Sequence, residues 1–367
     1  MNNPHRAAAA PPVLLLTRQP DEDLPPDAAL DAALARYEVL VLGEAGVEPL
    51  ASRDLDRVEV LVTGFKREVP RASLPFAEME RLSLVHSVIA GVEDLLGVGL
   101  AERRVMLTNS AGCYARPIAE YAFSAAVCLL RGLPELFHAA RRAEWLEHGL
   151  GRELGTSRLG VVGYGEIGRR VGELARAAGA EVWAITRRPS LHWGDGTAGS
   201  GADGGGTSDP TTIDDAAAAG VRVSGLDDLR TMLAWSDIVV VATSLNPTST
   251  GLIGTAEFAA MRPSSYLVNV SRGEVLDEPA LVAALSAGAI RGAVLDTTVV
   301  EPLPADHPLW RLPNVWITPH IAGGTHEGRA RVAELLAANL TSYAEGRFGA
   351  LRNVVDFATE FGRPAGT

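Results

Sequence analysis

The densest chemistry in this 367-residue chain begins with a run of glycines closing an apolar stretch. Leu159 to Arg170 reads LGVVGYGEIGRR, which places Gly163, Gly165 and Gly168 in a GxGxxG pattern between a strand-like and a helix-like segment. Gly163 suits a tight turn, Gly165 a close approach of backbone to pyrophosphate, and Gly168 close packing of helix on strand. The helix start offers unpaired N–H groups to an anion, and the amides of Glu166 and Ile167 are the expected donors. Among 38 glycines such spacing arises by chance, so the flanking strand, the helix and a second strand ending near Thr186 are what single it out as a dinucleotide fingerprint.

About 20 residues beyond the pattern, an NAD-binding chain places an acid for the ribose hydroxyls. Here that place holds Thr186, followed by Arg187 and Arg188. A neutral residue and two guanidinium groups accept a 2'-phosphate that a carboxylate would repel. The expected cofactor is therefore NADP, with NAD as the second choice.

Hydride transfer to or from a nicotinamide at a 2-hydroxy acid needs a proton donor and acceptor, a cation for oxygen and carboxylate, and a pocket that aligns the reacting carbon. Three segments at expected strand ends carry such residue types: Asn269 to Leu281 (NVSRGEVLDEPAL), Leu295 to Trp310 (LDTTVVEPLPADHPLW) and Ile317 to Thr325 (ITPHIAGGT).

These segments need a scaffold, and short β-rich runs alternate with Ala/Leu-rich helical runs almost throughout, the pattern of parallel sheets with crossover helices. Five strands are expected first: Val13 to Thr17, Glu38 to Leu42, Glu59 to Thr63, Ser83 to Ser87 and Val105 to Thr108. Pro117 to about Arg142 reads as one long helix, with Pro117 suited to its first turn. Six more strands follow: Leu159 to Val162, Glu181 to Ile185, Ile238 to Ala242, Tyr266 to Asn269, Gly292 to Leu295 and Val315 to Ile317. The expected fold is α/β with two doubly wound parallel-sheet domains. A Rossmann dinucleotide-binding domain (108–321) is inserted into a flavodoxin-like substrate domain (1–107 and 322–367). Residues 190–209, rich in Gly, Ser, Asp and Thr, read as a flexible insertion.

Composition narrows the partners. A formal net charge of -12 repels a phosphate backbone, so nucleic acid is not an expected partner. No apolar run approaches the ~20 residues of a membrane span, and the Pro-broken N-terminal stretch reads as a tail. Cys113 and Cys128 are the only cysteines, with no Cys or His cluster at metal spacing, so neither a disulfide framework nor a metal site is expected and a reducing cytoplasm fits.

With these motifs in order, the chain from about Leu82 to Gly324 resembles the D-isomer-specific 2-hydroxyacid dehydrogenases, a family that includes glyoxylate/hydroxypyruvate reductases and phosphoglycerate dehydrogenases. The resemblance implies an NAD(P)-dependent oxidoreductase acting on the CH-OH group of small 2-hydroxy acids. It makes Arg272 the substrate-binding arginine, Glu301 the carboxylate paired with histidine, and His320 the acid/base. Histidine titrates near ~6.5, and a carboxylate on the other ring nitrogen fixes its tautomer, so these roles are also chemically sound. Leu84 to Leu96 resembles the family's carboxylate-binding loop, with the amides around Ala90 and Gly91 meeting substrate and His86 beside them, although a lone strand-end histidine is equally a core residue. Asp296 resembles the residue beside the nicotinamide carboxamide. Glu120 resembles a residue of the interdomain helix, with a structural role, and the arm around Trp145 implies a homodimer. A different class stays open, a dinucleotide-sensing corepressor or scaffold of the same fold.

Overall fold

The computed structural model describes residues 10–20, 23–42, 52–65, 70–147, 151–187 and 220–357. Among them, everything up to Tyr114 and from Thr325 onward forms one compact unit, and everything from Ala115 to Gly324 forms another.

The first unit is built on β1 (Val13–Leu16), β2 (Glu38–Val41), β3 (Val58–Thr63), β4 (Leu84–Ser87) and β5 (Met106–Thr108). They pair in the order β2-β1-β3-β4-β5, parallel throughout, the flavodoxin-like order. Side chains alternate between the two faces of a strand, and both faces here are covered, so β1 is apolar at every position. Leu14 and Leu16 pack with Leu30 of the Ala28–Leu34 helix and with Val332, Leu336 and Leu340 of the His326–Ala344 helix. Val13 and Leu15 face the other way, into a cluster with Leu74, Phe76, Leu95 and Leu100. The C-terminal helix starts where the Thr325 hydroxyl accepts a hydrogen bond from the Gly328 amide at 3.0 Å.

The second unit carries β6 (Arg158–Val162), β7 (Glu181–Ile185), β8 (Val221–Ser224), β9 (Ile238–Val241), β10 (Tyr266–Asn269), β11 (Gly292–Leu295) and β12 (Val315–Ile317). Their order is β12-β11-β10-β9-β6-β7-β8, again all parallel. Strand order reverses beside β6, and the carboxyl end of a strand at such a reversal is where open α/β sheets take ligands. The glycine fingerprint leaves β6 at that point.

Two expectations are corrected. The long helix divides into Ala115–Leu130 and Leu133–Arg141, because Gly132 takes a left-handed φ of +65° and starts a new helix with Pro134 in its first turn. β8 has no counterpart among the strands read from sequence. The compact units divide after Tyr114 and Gly324: Ser110 donates from its amide to the Ile89 carbonyl and Cys113 packs in the first unit's core, while Ala322 packs in the second's. The 190–209 segment and the N-terminal tail up to residue 9 lie outside the described residues. Among the described residues, no helix is long and apolar enough to cross a membrane and no group of His, Cys, Asp and Glu is placed to hold a metal. Neither Cys113 nor Cys128 forms a disulfide among the described residues.

His86, on β4, has no exposed surface; its Nδ1 lies 2.8 Å from Thr108 Oγ1 and 3.4 Å from Asn339 Nδ2. Burial pushes its pKa down to about 3. An unfolded chain accepts a proton near ~6.5 that the folded chain refuses, so this group costs nothing above that pH and erodes stability as pH falls from there toward 3. Denaturant midpoints measured from pH 7 to 4 should therefore fall, and His86→Gln should flatten that slope. An unchanged slope in the variant would show that the imidazole is not its source.

Candidate active site

The fingerprint turn shows a division of labour among its glycines. Gly163 has φ +96°, and a Cβ there would lie 2.5 Å from Thr243 Cα. A Cβ on Gly168 would collide with the Gly163 carbonyl oxygen. Gly165 differs, since a Cβ there would meet nothing within 4 Å. Two glycines are thus required by the fold, and the third opens onto free space at the start of the Glu166–Ala177 helix. The first-turn amides, Glu166 and Ile167 among them, have no preceding turn of carbonyls to bond.

At the end of β7, Thr186 is buried and its amide bonds the Ser224 carbonyl at 3.0 Å. Arg187 is exposed, with Nη1 3.3 Å from Thr248 Oγ1. Thr186, a neutral residue, stands at this strand end where an acid would bond ribose hydroxyls. Arg188 lies outside the described residues.

The loops after β10, β11 and β12 bring the other polar groups together. His320 Nδ1 lies 2.8 Å from Glu301 Oε2, although 19 residues separate them in sequence. Glu301 Oε1 accepts the Thr298 amide at 3.1 Å. Burial pushes the Glu301 carboxyl up, but the hydrogen bond and charge of His320, the Thr298 amide and the charge of Arg272 together hold it below the usual carboxylate range. An ionised carboxylate only accepts, so Nδ1 carries the hydrogen, and Nε2 is the nitrogen left to exchange a proton. The histidine is 46% exposed and the glutamate 38%, so the pair is open to a small solute.

Arg272 follows β10 in a turn whose carbonyl accepts Asn269 Nδ2 at 3.1 Å. The same amide nitrogen lies 3.3 Å from Thr297 Oγ1, tying the Arg272 turn to the loop that carries Glu301. Gly273 completes the join: a Cβ there would collide with the backbone of Thr298 and Val299. Asn269 was legible only as part of a quoted segment. Its signal is a fully buried polar residue at the carboxyl end of an apolar strand.

Asp296 ends β11 with 3% exposure. Its Oδ1 accepts Thr318 Oγ1 at 2.6 Å and the Ile321 amide at 2.9 Å, its Oδ2 the Ala322 amide at 2.9 Å, and its backbone carbonyl the His320 amide at 2.8 Å. This carboxylate folds the turn on which His320 sits at φ +51°.

In the first unit, the loop after β4 uses its acceptors: the Ile89 carbonyl takes the Ser110 amide, the Ala90 carbonyl takes Asn109 Nδ2 at 2.9 Å, and the Gly91 carbonyl takes Arg71 Nη2 at 3.0 Å. Among the described residues the Ala90 and Gly91 amides donate to no acceptor. His86 lies inside the sheet, so the expectation that it touches substrate is corrected: a ring without accessible surface has nothing to offer a ligand. In the second unit Glu120 is exposed and pairs loosely with Arg116 at 3.9 Å, while Trp145 is 90% exposed.

A family profile described as "D-isomer specific 2-hydroxyacid dehydrogenase, NAD binding domain" matches residues 123–196 and 207–322. The glyoxylate reductase of Aeropyrum pernix is 31% identical over 279 residues, covering 74% of this chain and 76% of that protein. The chain belongs to the D-isomer-specific 2-hydroxyacid dehydrogenase family. Another relative of this family member, the D-3-phosphoglycerate dehydrogenase of Escherichia coli K12, is 30% identical over 295 residues, and the match spans 65% of that protein's length. Among solved structures, the D-isomer-specific 2-hydroxyacid dehydrogenase of Xanthobacter autotrophicus Py2 in complex with NADPH and MES is 27% identical, with a TM-score of 0.70 over 95% of this chain and 98% of that one.

The residues present fit the dinucleotide that the family's binding domain is named for. The space that a Cβ on Gly165 would fill lies open beside a helix start, which is what a pyrophosphate requires. Gly165→Val should therefore melt within a few degrees of wild type yet bind NADPH about tenfold or more weakly, whereas Gly163→Ala should lower the melting temperature itself. Calorimetry and NADPH fluorescence check both, and a Gly165→Val protein with undiminished affinity would remove the pyrophosphate from this turn.

Proposed function

We propose that the chain is an NADP-preferring D-2-hydroxyacid dehydrogenase that works mainly as a reductase of small 2-keto acids of the glyoxylate or hydroxypyruvate class. The observation that carries this is the His320–Glu301 pair at 2.8 Å, with Nε2 free of that bond and Arg272 close enough for its charge to act on the same carboxylate. The relative named a glyoxylate reductase supports a short keto acid. The exposed Arg187, preceded by a threonine rather than an acid, and the neighbouring structure solved with NADPH support the cofactor preference. Arg188, outside the described residues, is the second cation of that proposal.

When bound, the dinucleotide supplies the hydride to C2 in reduction and accepts it in oxidation. His320 gives its Nε2 proton to the C2 oxygen as negative charge gathers there, and takes it back in the reverse direction. Glu301 stabilises the charged ring and holds its orientation, so the proton is presented from one nitrogen only. Arg272 supplies the cation for the substrate's carboxylate and C2 oxygen. In the first unit the open amides of Ala90 and Gly91 suit a carboxylate, and in the second Asp296 holds the turn that carries His320. On the second unit Phe137, Trp145 and Leu146 are 56%, 90% and 46% exposed, and a homodimer through that arm is part of the proposal.

Purified protein should oxidise NADPH with glyoxylate or hydroxypyruvate faster than with longer keto acids. His320→Ala should lose about a hundredfold or more in kcat while keeping NADPH affinity within about twofold. Wild-type protein inert with every short 2-keto acid, or a fully active His320→Ala, would refute the assignment. Arg187→Ala should cut the preference for NADPH over NADH about tenfold, the scale of one hydrogen bond to a charged group. Equal ratios in variant and wild type would take the 2'-phosphate away from Arg187.

A further inference from the structure

Tyr121 sits in the Ala115–Leu130 helix, with its ring packed against the second unit's core. Its hydroxyl lies 2.7 Å from Thr318 Oγ1, a residue 197 positions later in the chain. Thr318 has a single hydroxyl hydrogen, and its Oγ1 lies 2.6 Å from Asp296 Oδ1, which as an ionised carboxylate only accepts. The threonine hydrogen is therefore committed to Asp296, and Tyr121 must be the donor of the remaining bond. The chain runs in one direction, Tyr121 to Thr318 to Asp296. It ends on the carboxylate that gathers the amides of Ile321 and Ala322, while the Asp296 backbone carbonyl takes the amide of His320.

We propose that Tyr121 is a positioning residue for His320, acting through Thr318 and Asp296 on the turn that aims the imidazole. This rests on the acid/base role given to His320 above. His320 holds a left-handed φ of +51°, which a non-glycine residue keeps only when its surroundings impose it. Within this network Tyr121 is the outermost donor. Without its hydroxyl, Thr318 Oγ1 loses a partner and can turn, and Asp296 Oδ1 loses one of its two donors, keeping the Ile321 amide. Burial raises the Tyr121 pKa, the Thr318 hydrogen bond lowers it and the Asp296 charge raises it, leaving it above the usual value, so the donor keeps its hydrogen through the neutral range. The ring's apolar packing is a separate contribution that a phenylalanine would preserve.

The test compares Tyr121→Phe, Thr318→Val, the double variant and Thr318→Ser by keto-acid kinetics, NADPH affinity and thermal melting. Tyr121→Phe and Thr318→Val should each lower kcat roughly three- to tenfold, the scale of one hydrogen bond, with NADPH affinity and melting temperature close to wild type. The double variant should be no slower than the slower single variant, because both break one chain. Thr318→Ser keeps the hydroxyl and should restore wild-type kcat. Unchanged kcat in Tyr121→Phe, or losses that multiply in the double variant, would overturn the proposal. Imidazole NMR separates this from the proposed activity. Even if wild-type protein turned over no keto acid, Tyr121→Phe should move the His320 ring resonances and leave those of His307 in place; unmoved His320 resonances would overturn the positioning role on their own.

Discussion

A hydrogen bond of 2.8 Å between an imidazole and a carboxylate sets the demands on the second unit. Those two groups leave the ends of different strands, β11 and β12, and the cation that acts on the carboxylate leaves a third, β10. Parallel strands place their carboxyl ends along one edge of the sheet, so three loops distant in sequence emerge side by side. Adjacency alone would leave them loops apart. Gly273 lets the Arg272 turn press against Thr298 and Val299, and the fully buried Asn269 bonds to both loops at once.

The acidic composition gives these local arrangements their importance. With a formal net charge of -12, the chain as a whole repels a dinucleotide or a keto acid, so capture of an anion depends on donors gathered at particular points. Under the proposed function, the helix start at Glu166, the exposed Arg187 and the Arg272 turn are three such points, all in the second unit. Short-range donors of this kind discriminate by position, which a broad positive surface does not.

Most of the architecture was legible because parallel strands covered by helices are largely apolar runs: β7, β10, β11 and β12 agree with their expected limits residue for residue. β8 escaped because Val221–Ser224 is a short edge strand with a charged residue inside it. The helix break at Gly132 is the reverse case, a single glycine inside an otherwise helical run whose left-handed backbone ends it. In the site, Arg272, Glu301 and His320 could be read because their side chains carry chemistry at strand ends. Asn269, Thr318 and Tyr121 could not be read that way, since their importance lies in partners 28, 22 and 197 residues away. His86 misled for a related reason: a histidine's type announces chemistry, but only the fold reveals that its ring is sealed in the sheet.

The left-handed backbone at His320 has a thermodynamic side. An L-residue held there gives up roughly 1–2 kcal/mol relative to a relaxed conformation, and the Asp296 network must keep supplying it for as long as the protein is folded. Under the proposed function, glycine at the same place would release that tension and abolish proton transfer together. Durability and turnover would then be opposed at a single residue, and selection for robustness alone would drift toward an inert protein.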